Sequence, residues 1–434
     1  MTMGPTAGPL PASSMPATSL NVPSASSSLN GLQPFIKDCP HGGTNMDLDL
    51  VKEGTTLLEV PRSSSYTFQG RYAPFKAPVF YNPRMEFSRD LSVMALRVFV
   101  KERKPPISIC DPLAGLGARG IRYANEVQNV KSVMGDLNAD AIPLILKNAD
   151  LNGVSSKVEV FEKDANLLLA ESSEPGKRHD FIDIDPFGTP VHFLSSAVRA
   201  VKNKGILAVT ATDTAPLCGV HPRACIRKYA SVPLRTEYCH ETALRIMIGS
   251  VVMEALKHDF GTEVLLSYSV DHYLRAFTRL TLGARRGDRA AADAGFLLHC
   301  PSCGWREKIK LNAAFDPKCS TCGGSVSRAG PLWCGQLSDP SFLDKMLNED
   351  RSLFNTSRRI EKFLRIVREE CEMPISFYVI DNLSSSLKRD VPPIKKVIES
   401  LKAKGHKATL THFHPKAIKT TAPISDIKSA IRGI

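Results

Sequence analysis

The sequence predicts an α/β fold, a parallel sheet with helices on both faces, followed by a smaller α+β region that carries four paired cysteines. Three observations carry that expectation. Strand-like and helix-like segments alternate strictly between Ile107 and Thr212, the pattern of βαβ units. Acidic residues recur where those strands end. Two Cys-x-x-Cys pairs, Cys300/Cys303 and Cys319/Cys322, stand 15 residues apart, the spacing of a tetrahedral zinc site.

The elements follow in order. Residues 1–45 are rich in Ser, Pro, Ala, Gly and Thr and have no apolar period, so they are expected to stay disordered. Glu86 to Arg103 carries a helical stripe (Leu91, Met94/Ala95, Val98/Phe99) and stops before Pro105-Pro106. Then ISIC reads as a strand, GARGIRYANEV as a helix, VKSVMGD as a strand, ADAIPLILKNADLNG as a helix and KVEVFEKDA as a strand. FIDID (Phe181–Asp185) is the next strand, VHFLSSAVRAVK a helix and GILAVTAT another strand. Glu237–His258 is a long amphipathic helix, and Glu263–Val270 and Phe277–Leu282 suit an antiparallel edge. A boundary is placed at Arg285–Asp288, dividing a first domain, 46–286, from a second, 287–434. In the second, helices are expected near Leu353–Glu372 and Val391–Lys404, with strands at Ile375–Ile380 and Ala408–Thr411.

Composition narrows the function classes. A chain of 434 residues exceeds what one core usually serves, which supports two domains. No run of about 18 apolar residues exists, so no membrane span is expected. The net charge is +12, yet residues 1–60 hold two bases against five acids, so the remainder carries +15. From Arg351 onward there are 17 Lys/Arg against 8 Asp/Glu. Such an excess points to a polyanion, nucleic acid before a membrane surface; a solvated basic face is the plainer alternative. Eleven cysteines, scattered apart from one tight group, indicate a reducing, intracellular compartment. The nucleus is foremost, with mitochondrion or plastid as alternatives; the absence of arginine before Arg62 fits a mitochondrial address poorly. A monomer is favoured.

The motifs carry the chemistry. CDPLAGLGARGIR (Cys110–Arg122) contains Gly115-x-Gly117-x-x-Gly120 between a strand and a helix, where backbone can approach a ligand closely. That pattern alone serves dinucleotide enzymes and other families. Asp111, Asp136 and Asp164 end three successive strands. Three acids suit a ribose diol, an adenine amine and a cationic ligand better than a pyrophosphate, which favours S-adenosylmethionine over NAD. Asp185-Pro186-Phe187-Gly188 then leaves a carboxylate, a rigid turn and an aromatic face at the fourth strand end, where open α/β sheets bind ligands. Asp183 competes for the acid role, but only Asp185 abuts the turn. The Cys300, Cys303, Cys319, Cys322 group, with Gly304 and Gly323 after each pair, reads as a structural zinc-ribbon-like site without a catalytic water position; Cys334 is a spare.

VFYNPRMEFSRDLS (Val79–Ser92), DPLAGLGARGIR, DIDPFGTP and LRTEYCHETALRI (Leu234–Ile246) together resemble the tRNA (guanine-26-N2)-dimethyltransferase family, from about Val51 to the C-terminus. That resemblance implies a Rossmann-like class I methyltransferase domain that mono- and dimethylates the N2 amine of guanosine 26, with tRNA held by the basic C-terminal region. It implies that Arg89, Arg119, Asp136, Asp164 and Ala165 line the S-adenosylmethionine site. Asp185 would be the catalytic carboxylate, and Phe187 and Phe80 would sandwich the base. Isoleucine in TTAPIS (Thr420–Ser425) departs from a tryptophan expected there. From the residues alone, Phe80 also reads as a core aromatic, and Arg89 as the partner of an acid on a neighbouring helix. Two other functions remain open at this point: another exocyclic-amine methyltransferase for RNA or DNA, and a non-catalytic zinc-ribbon nucleic-acid-binding protein. An intact DPFG beside three strand-end acids speaks against the second.

Overall fold

The structure, a computed structural model, describes residues 46–434 apart from Gly70; the tail read as disordered lies outside the described residues. An N-terminal hairpin, β1 (Leu48–Glu53) and β2 (Thr56–Pro61), precedes two short paired strands, β3 (Thr67–Phe68) and β4 (Arg71–Tyr72). Helix α1 (Glu86–Val100) leads into the alternating region: β5 (Ile107–Asp111), α2 (Ala118–Glu126), β6 (Val130–Asp136), α3 (Ala141–Leu151), β7 (Val158–Glu162), α4 (Ala165–Ser172), β8 (His179–Ile184), α5 (Val191–Ala200) and β9 (Val201–Ala211). Short α6 (Thr214–Leu217) and α7 (Pro222–Tyr229) lead to the long α8 (Cys239–Leu256) and the hairpin β10 (Phe260–Val270) and β11 (Tyr273–Leu282).

The seven-stranded sheet runs in the order β10-β11-β9-β8-β5-β6-β7. Strands β5 to β9 are parallel, while β11 and β10 close the edge antiparallel, as the sequence led one to expect. Every residue of β8 is buried because both faces are covered. Phe181, Ile109, Ile206 and Ala208 pack on the side of α1; Ile182, Ile184, Cys110, Leu207 and Val209 pack on the side of α5 and α8. The order reverses at β5: the chain winds outward through β6 and β7, then returns to place β8 on the other side. Such a reversal opens a crevice at the carboxyl ends of the strands.

Arg285–Asp288, where a boundary was expected, lies within α9 (Ala284–Ala292). A Cβ on Gly261 of β10 would come within 2.6 Å of Arg286, so the helix lies directly on the strand. Next comes a three-stranded ribbon, β13-β12-β14, made of β12 (Ala294–His299), β13 (Arg306–Lys310) and β14 (Ser327–Trp333). Helices α10 (Pro340–Leu347) and α11 (Ser357–Glu370) follow, then β15 (Tyr378–Val379), α12 (Ile380–Ser386), α13 (Ile394–Ala403), β16 (Ala408–Leu410), β17 (Ala417–Thr420) and α14 (Ile424–Arg432). These elements join three cores. Leu297, Leu332 and Trp333 enter the α8 core, Phe342, Leu343 and Leu364 enter the α1 core, and Ile380, Val397, Leu401 and Ile427 form their own. The strand expected at Ile375–Ile380 shrinks to two residues: Ser376 sits at φ 73°, a left-handed conformation that interrupts an extended run, and Ile380 already starts a helix. No helix among the described residues is long and apolar enough to cross a membrane.

Candidate active site

The crevice at the sheet reversal is framed by the loops after β5, β6, β7 and β8. After β5, Gly115 and Gly117 adopt φ of 55° and 84°, values that only glycine takes at little cost. A Cβ on Gly120 would lie 2.3 Å from Met134 Sδ, so α2 rests hard against β6. Asp136 shapes the loop: its Oδ2 accepts from Gly115 N at 2.7 Å and its Oδ1 from Asn138 N at 2.9 Å. Asp164 caps α4, accepting from the amides of Asn166 and Leu167, and Ala165 is buried as the first residue of that helix. Asp111 Oδ2 accepts from Gly120 N at 3.2 Å, while its buried Oδ1 has no partner among the described residues. Burial, aided by the Asp183 and Asp185 charges, pushes Asp111 up to about 8.

The two acids of FIDID behave differently. Asp183 is fully buried, and its Oδ2 accepts from Tyr123 Oη at 2.6 Å and Arg275 Nη2 at 2.7 Å. Asp185 keeps 23% of its side chain exposed, and Arg119 forks onto its Oδ2 with Nε and Nη2 both at 2.8 Å. Arg119 is in turn steadied by Ser92 Oγ at 3.0 Å and Ser88 Oγ at 3.1 Å. Burial alone would raise the Asp185 carboxyl, but the guanidinium groups of Arg119 and Arg275 outweigh it and hold the group below the usual carboxylate range. The turn itself is pinned: Gly188 N donates to Thr212 Oγ1 at 2.7 Å, and Thr212 N donates to Gly188 O at 2.9 Å.

Phe187 is 71% exposed, an unusual state for a large aromatic in a turn. Its only aromatic neighbour among the described residues is half-buried Phe80, edge to face with centroids 4.4 Å apart and planes at 86°. The segment bearing Phe80 is tied to the rim, because Asn138 Nδ2 donates to Pro78 O at 2.7 Å.

The structure thus brings Asp185, Arg119, Phe187 and Phe80 together, with Asp136, Asp164 and Ala165 on the adjoining strand ends. Arg89 takes another direction. It pairs with Glu53 of β1 through Nε at 2.6 Å and Nη2 at 2.5 Å, an acid on the N-terminal hairpin rather than on a neighbouring helix. Burial would raise Glu53, but Arg89 and Arg122 bring it down to about 2. The SRDLS motif reaches Arg119 through Ser88 and Ser92 instead. Sequence reasoning missed these serines, Tyr123 and Arg275. The signals were present: two serines at i and i+4 share a helix face, and an arginine inside the apolar run YLRAF needs a buried partner.

The cysteine group lies on the ribbon. Sγ atoms of Cys300 and Cys322 are 3.5 Å apart, those of Cys303 and Cys319 are 3.6 Å apart, and all four lie within 4.8 Å of one another. Bonds of about 2.3 Å make a tetrahedron with edges near 3.8 Å, so the sulfurs fit a zinc ion closely. Gly304 and Gly323, at φ 82° and 74°, turn their amides back onto the carbonyls of Cys300 and Cys319. Cys334 is buried away from this group, beside Phe296 O.

Comparisons with known proteins show the family to which this chain belongs. Residues 54–432 match the family model for N2,N2-dimethylguanosine tRNA methyltransferase. The tRNA (guanine(26)-N(2))-dimethyltransferase of Methanothermobacter thermautotrophicus is 41% identical over 386 residues, which span 88% of this chain and 98% of that protein. The enzyme of the same name from Thermococcus kodakarensis is 38% identical, over 90% of this chain and 100% of its own. The solved structure of Trm1 from Pyrococcus horikoshii with S-adenosyl-L-methionine superposes with a TM-score of 0.78 at 36% identity, covering 88% of this chain and 100% of that one. The chain therefore belongs to the N2,N2-dimethylguanosine tRNA methyltransferase family.

Proposed function

We propose that the protein is an S-adenosylmethionine-dependent tRNA methyltransferase that mono- and dimethylates the N2 amine of guanosine 26, with Asp185 as its catalytic carboxylate. One observation carries the residue assignment: of the two acids of FIDID, only Asp185, just past the end of β8, reaches the crevice, beside an exposed phenylalanine and at the point where the strand order reverses.

The cofactor fits the crevice on its chemistry. The glycine loop admits a ligand to the backbone, and the orphaned Oδ1 of Asp111 can meet a cation once that carboxyl gives up its proton. The second lone pairs of Asp136 and Asp164 are available to hydroxyl and amine donors. When bound, S-adenosylmethionine would supply an electrophilic methyl group on a sulfonium. Arg119 orients Asp185 and, by the family resemblance, borders that ligand; Arg89 supports the site from behind by fixing β1 to α1.

Guanine N2 is nearly non-basic because its lone pair is delocalised into the ring. Asp185 and the carbonyl of Pro186 would accept its two hydrogens, which favours a pyramidal nitrogen with a lone pair directed at the methyl group. Phe187 and Phe80 would clasp the flipped base. Stacking on both faces needs about 7 Å between parallel rings, whereas the two rings now touch edge to face. The pair must therefore part, and solvent-exposed Phe187 is free to swing. The basic surface beyond Arg351 suits tRNA phosphates; Arg358 is exposed there, while Arg359 pairs with Asp271. A structural zinc at Cys300, Cys303, Cys319 and Cys322 would hold the ribbon.

Mass spectrometry of nucleosides from unmodified tRNA, incubated with the protein and cofactor, tests the proposal. N2-methylated and N2,N2-dimethylated guanosine should form, and neither should form on tRNA carrying adenosine at position 26. Equal modification of that control, or of duplex DNA, would sink the substrate assignment.

A further inference from the structure

A second soft ligand cluster lies outside the ribbon. Sγ of Cys218, Sγ of Cys239 and a ring nitrogen of His240 all lie within 4.8 Å of one another. Cys218 is buried at the end of α6, and Cys239 and His240 are the first two residues of α8. We infer that Cys218, Cys239 and His240 form a second metal site, which takes a zinc-class ion and clamps the chain after β9 to the start of α8.

Geometry and donor chemistry support this. Bonds of about 2.0–2.3 Å give tetrahedral edges of about 3.4–3.8 Å, so the three donor atoms converge after movements of under about 1 Å. Two thiolates and an imidazole select Zn(II) or another soft ion over Mg(II) or Ca(II). The protein supplies three ligands, and water completes the fourth position. A disulfide between the cysteines would use two of the three groups and leave His240 without a reason to converge on them.

The location gives the site a consequence. Thr212 holds the DPFG turn by hydrogen bonds in both directions with Gly188. The same segment then runs through α6 to Cys218, so a metal would fix its far end. The ion is a staple for the wall beside Phe187, and it touches no reacting atom.

The full-length protein, purified in reducing buffer without chelator, decides the matter by elemental analysis and cobalt substitution. Wild type should hold two zinc ions per chain. Cys218→Ala and His240→Ala should each hold one, as should Cys319→Ser, which loses the other. In the cobalt-loaded protein, His240→Gln should change the visible d–d bands of one equivalent and leave the four-sulfur spectrum intact. Circular dichroism confirms the fold, and if Cys218→Ala does not fold, His240→Gln carries the test. One metal per chain that disappears only with Cys319→Ser would overturn the inference. So would a Cys218–Cys239 disulfide in peptide maps of freshly reduced and purified protein.

Discussion

Asp185→Asn isolates the proposed chemistry, because it keeps the side chain's shape and removes its charge. A hydrogen bond to a charged acceptor contributes roughly 1.5–3 kcal/mol, against about half that for a neutral one. Losing the charge where the nitrogen pyramidalises should therefore slow transfer by about tenfold or more at 1.36 kcal/mol per decade. A second effect has the same sign. Arg119, forked onto Asp185 Oδ2, would be left with Ser88, Ser92 and Asp183 at 4.0 Å. Its uncompensated charge then opposes both a cationic methyl donor and a nitrogen that is gaining positive charge. Together these predict a loss of about 100-fold or greater in single-turnover methylation of saturating tRNA, with tRNA affinity within about threefold of wild type. Asp183→Asn should differ in kind. It strips the buried Arg275 of its charged partner, which costs about 3–5 kcal/mol of stability but leaves the rate per folded molecule less affected. Wild-type transfer by Asp185→Asn would refute the assignment.

Four further outcomes are expected. Phe187→Ala and Phe80→Ala should each weaken base capture by about 1–3 kcal/mol, seen as slower transfer that remains above that of Asp185→Asn; an unchanged rate in both would remove the clasp. Cys319→Ser should lower the thermal midpoint and release metal before it alters chemistry in the remaining folded protein, and a midpoint equal to wild type would exclude a structural zinc there. Glu53 falls from an ordinary 4.5 to about 2 on folding, so its contribution of about 3 kcal/mol is fully present above pH 4.5 and is lost as pH falls through 2; urea unfolding of Glu53→Gln should show a shallower acid dependence, and a curve parallel to wild type would contradict this. Asp111, raised to about 8, should hold its proton at neutral pH and release it when a cation enters the crevice; calorimetry of S-adenosylmethionine binding in two buffers of different ionisation enthalpy should show that release in wild type and not in Asp111→Asn.

Local signals carried most of the candidate site. Strand β6 ends at Asp136 and β5 at Asp111, where an apolar run meets an acid and a turn, and the cysteine pairs state their own geometry. What stayed hidden depends on distant partners. Arg275 meets Asp183 across 92 residues, and Arg89 meets Glu53 across 36; no periodicity reports which charge a buried guanidinium finds. Arg89 also shows how a motif misleads by one residue. Nearly all of α1 is buried, so hydrophobicity does not say which face meets the crevice, and a step of one residue turns a side chain by about 100°. Ser88 and Ser92 face Arg119, and Arg89 faces the hairpin. The hairpin itself was illegible because its partners, Asn148 and Asn152 on and beyond α3, lie in another part of the chain.

The charges around the crevice explain why a carboxylate held below its usual range suits the proposed reaction. Asp183 and Asp185 are matched by Arg275 and Arg119, and Asp111 is neutral while it keeps its proton. Asp185 is thus a poor store for a proton but a strong hydrogen-bond acceptor at any physiological pH. That is what the substrate requires. The exocyclic amine of guanine needs no base before attack, since removing its proton first would cost far more than bending it. Once the nitrogen has taken a methyl group it is cationic and strongly acidic, and even a weak carboxylate base can accept its proton. A raised pKa would serve this step poorly, because a protonated Asp185 would point a donor at the amine hydrogens. Arg119 holds Asp185 ionised, so its place in the proposed mechanism is to keep Asp185 an acceptor.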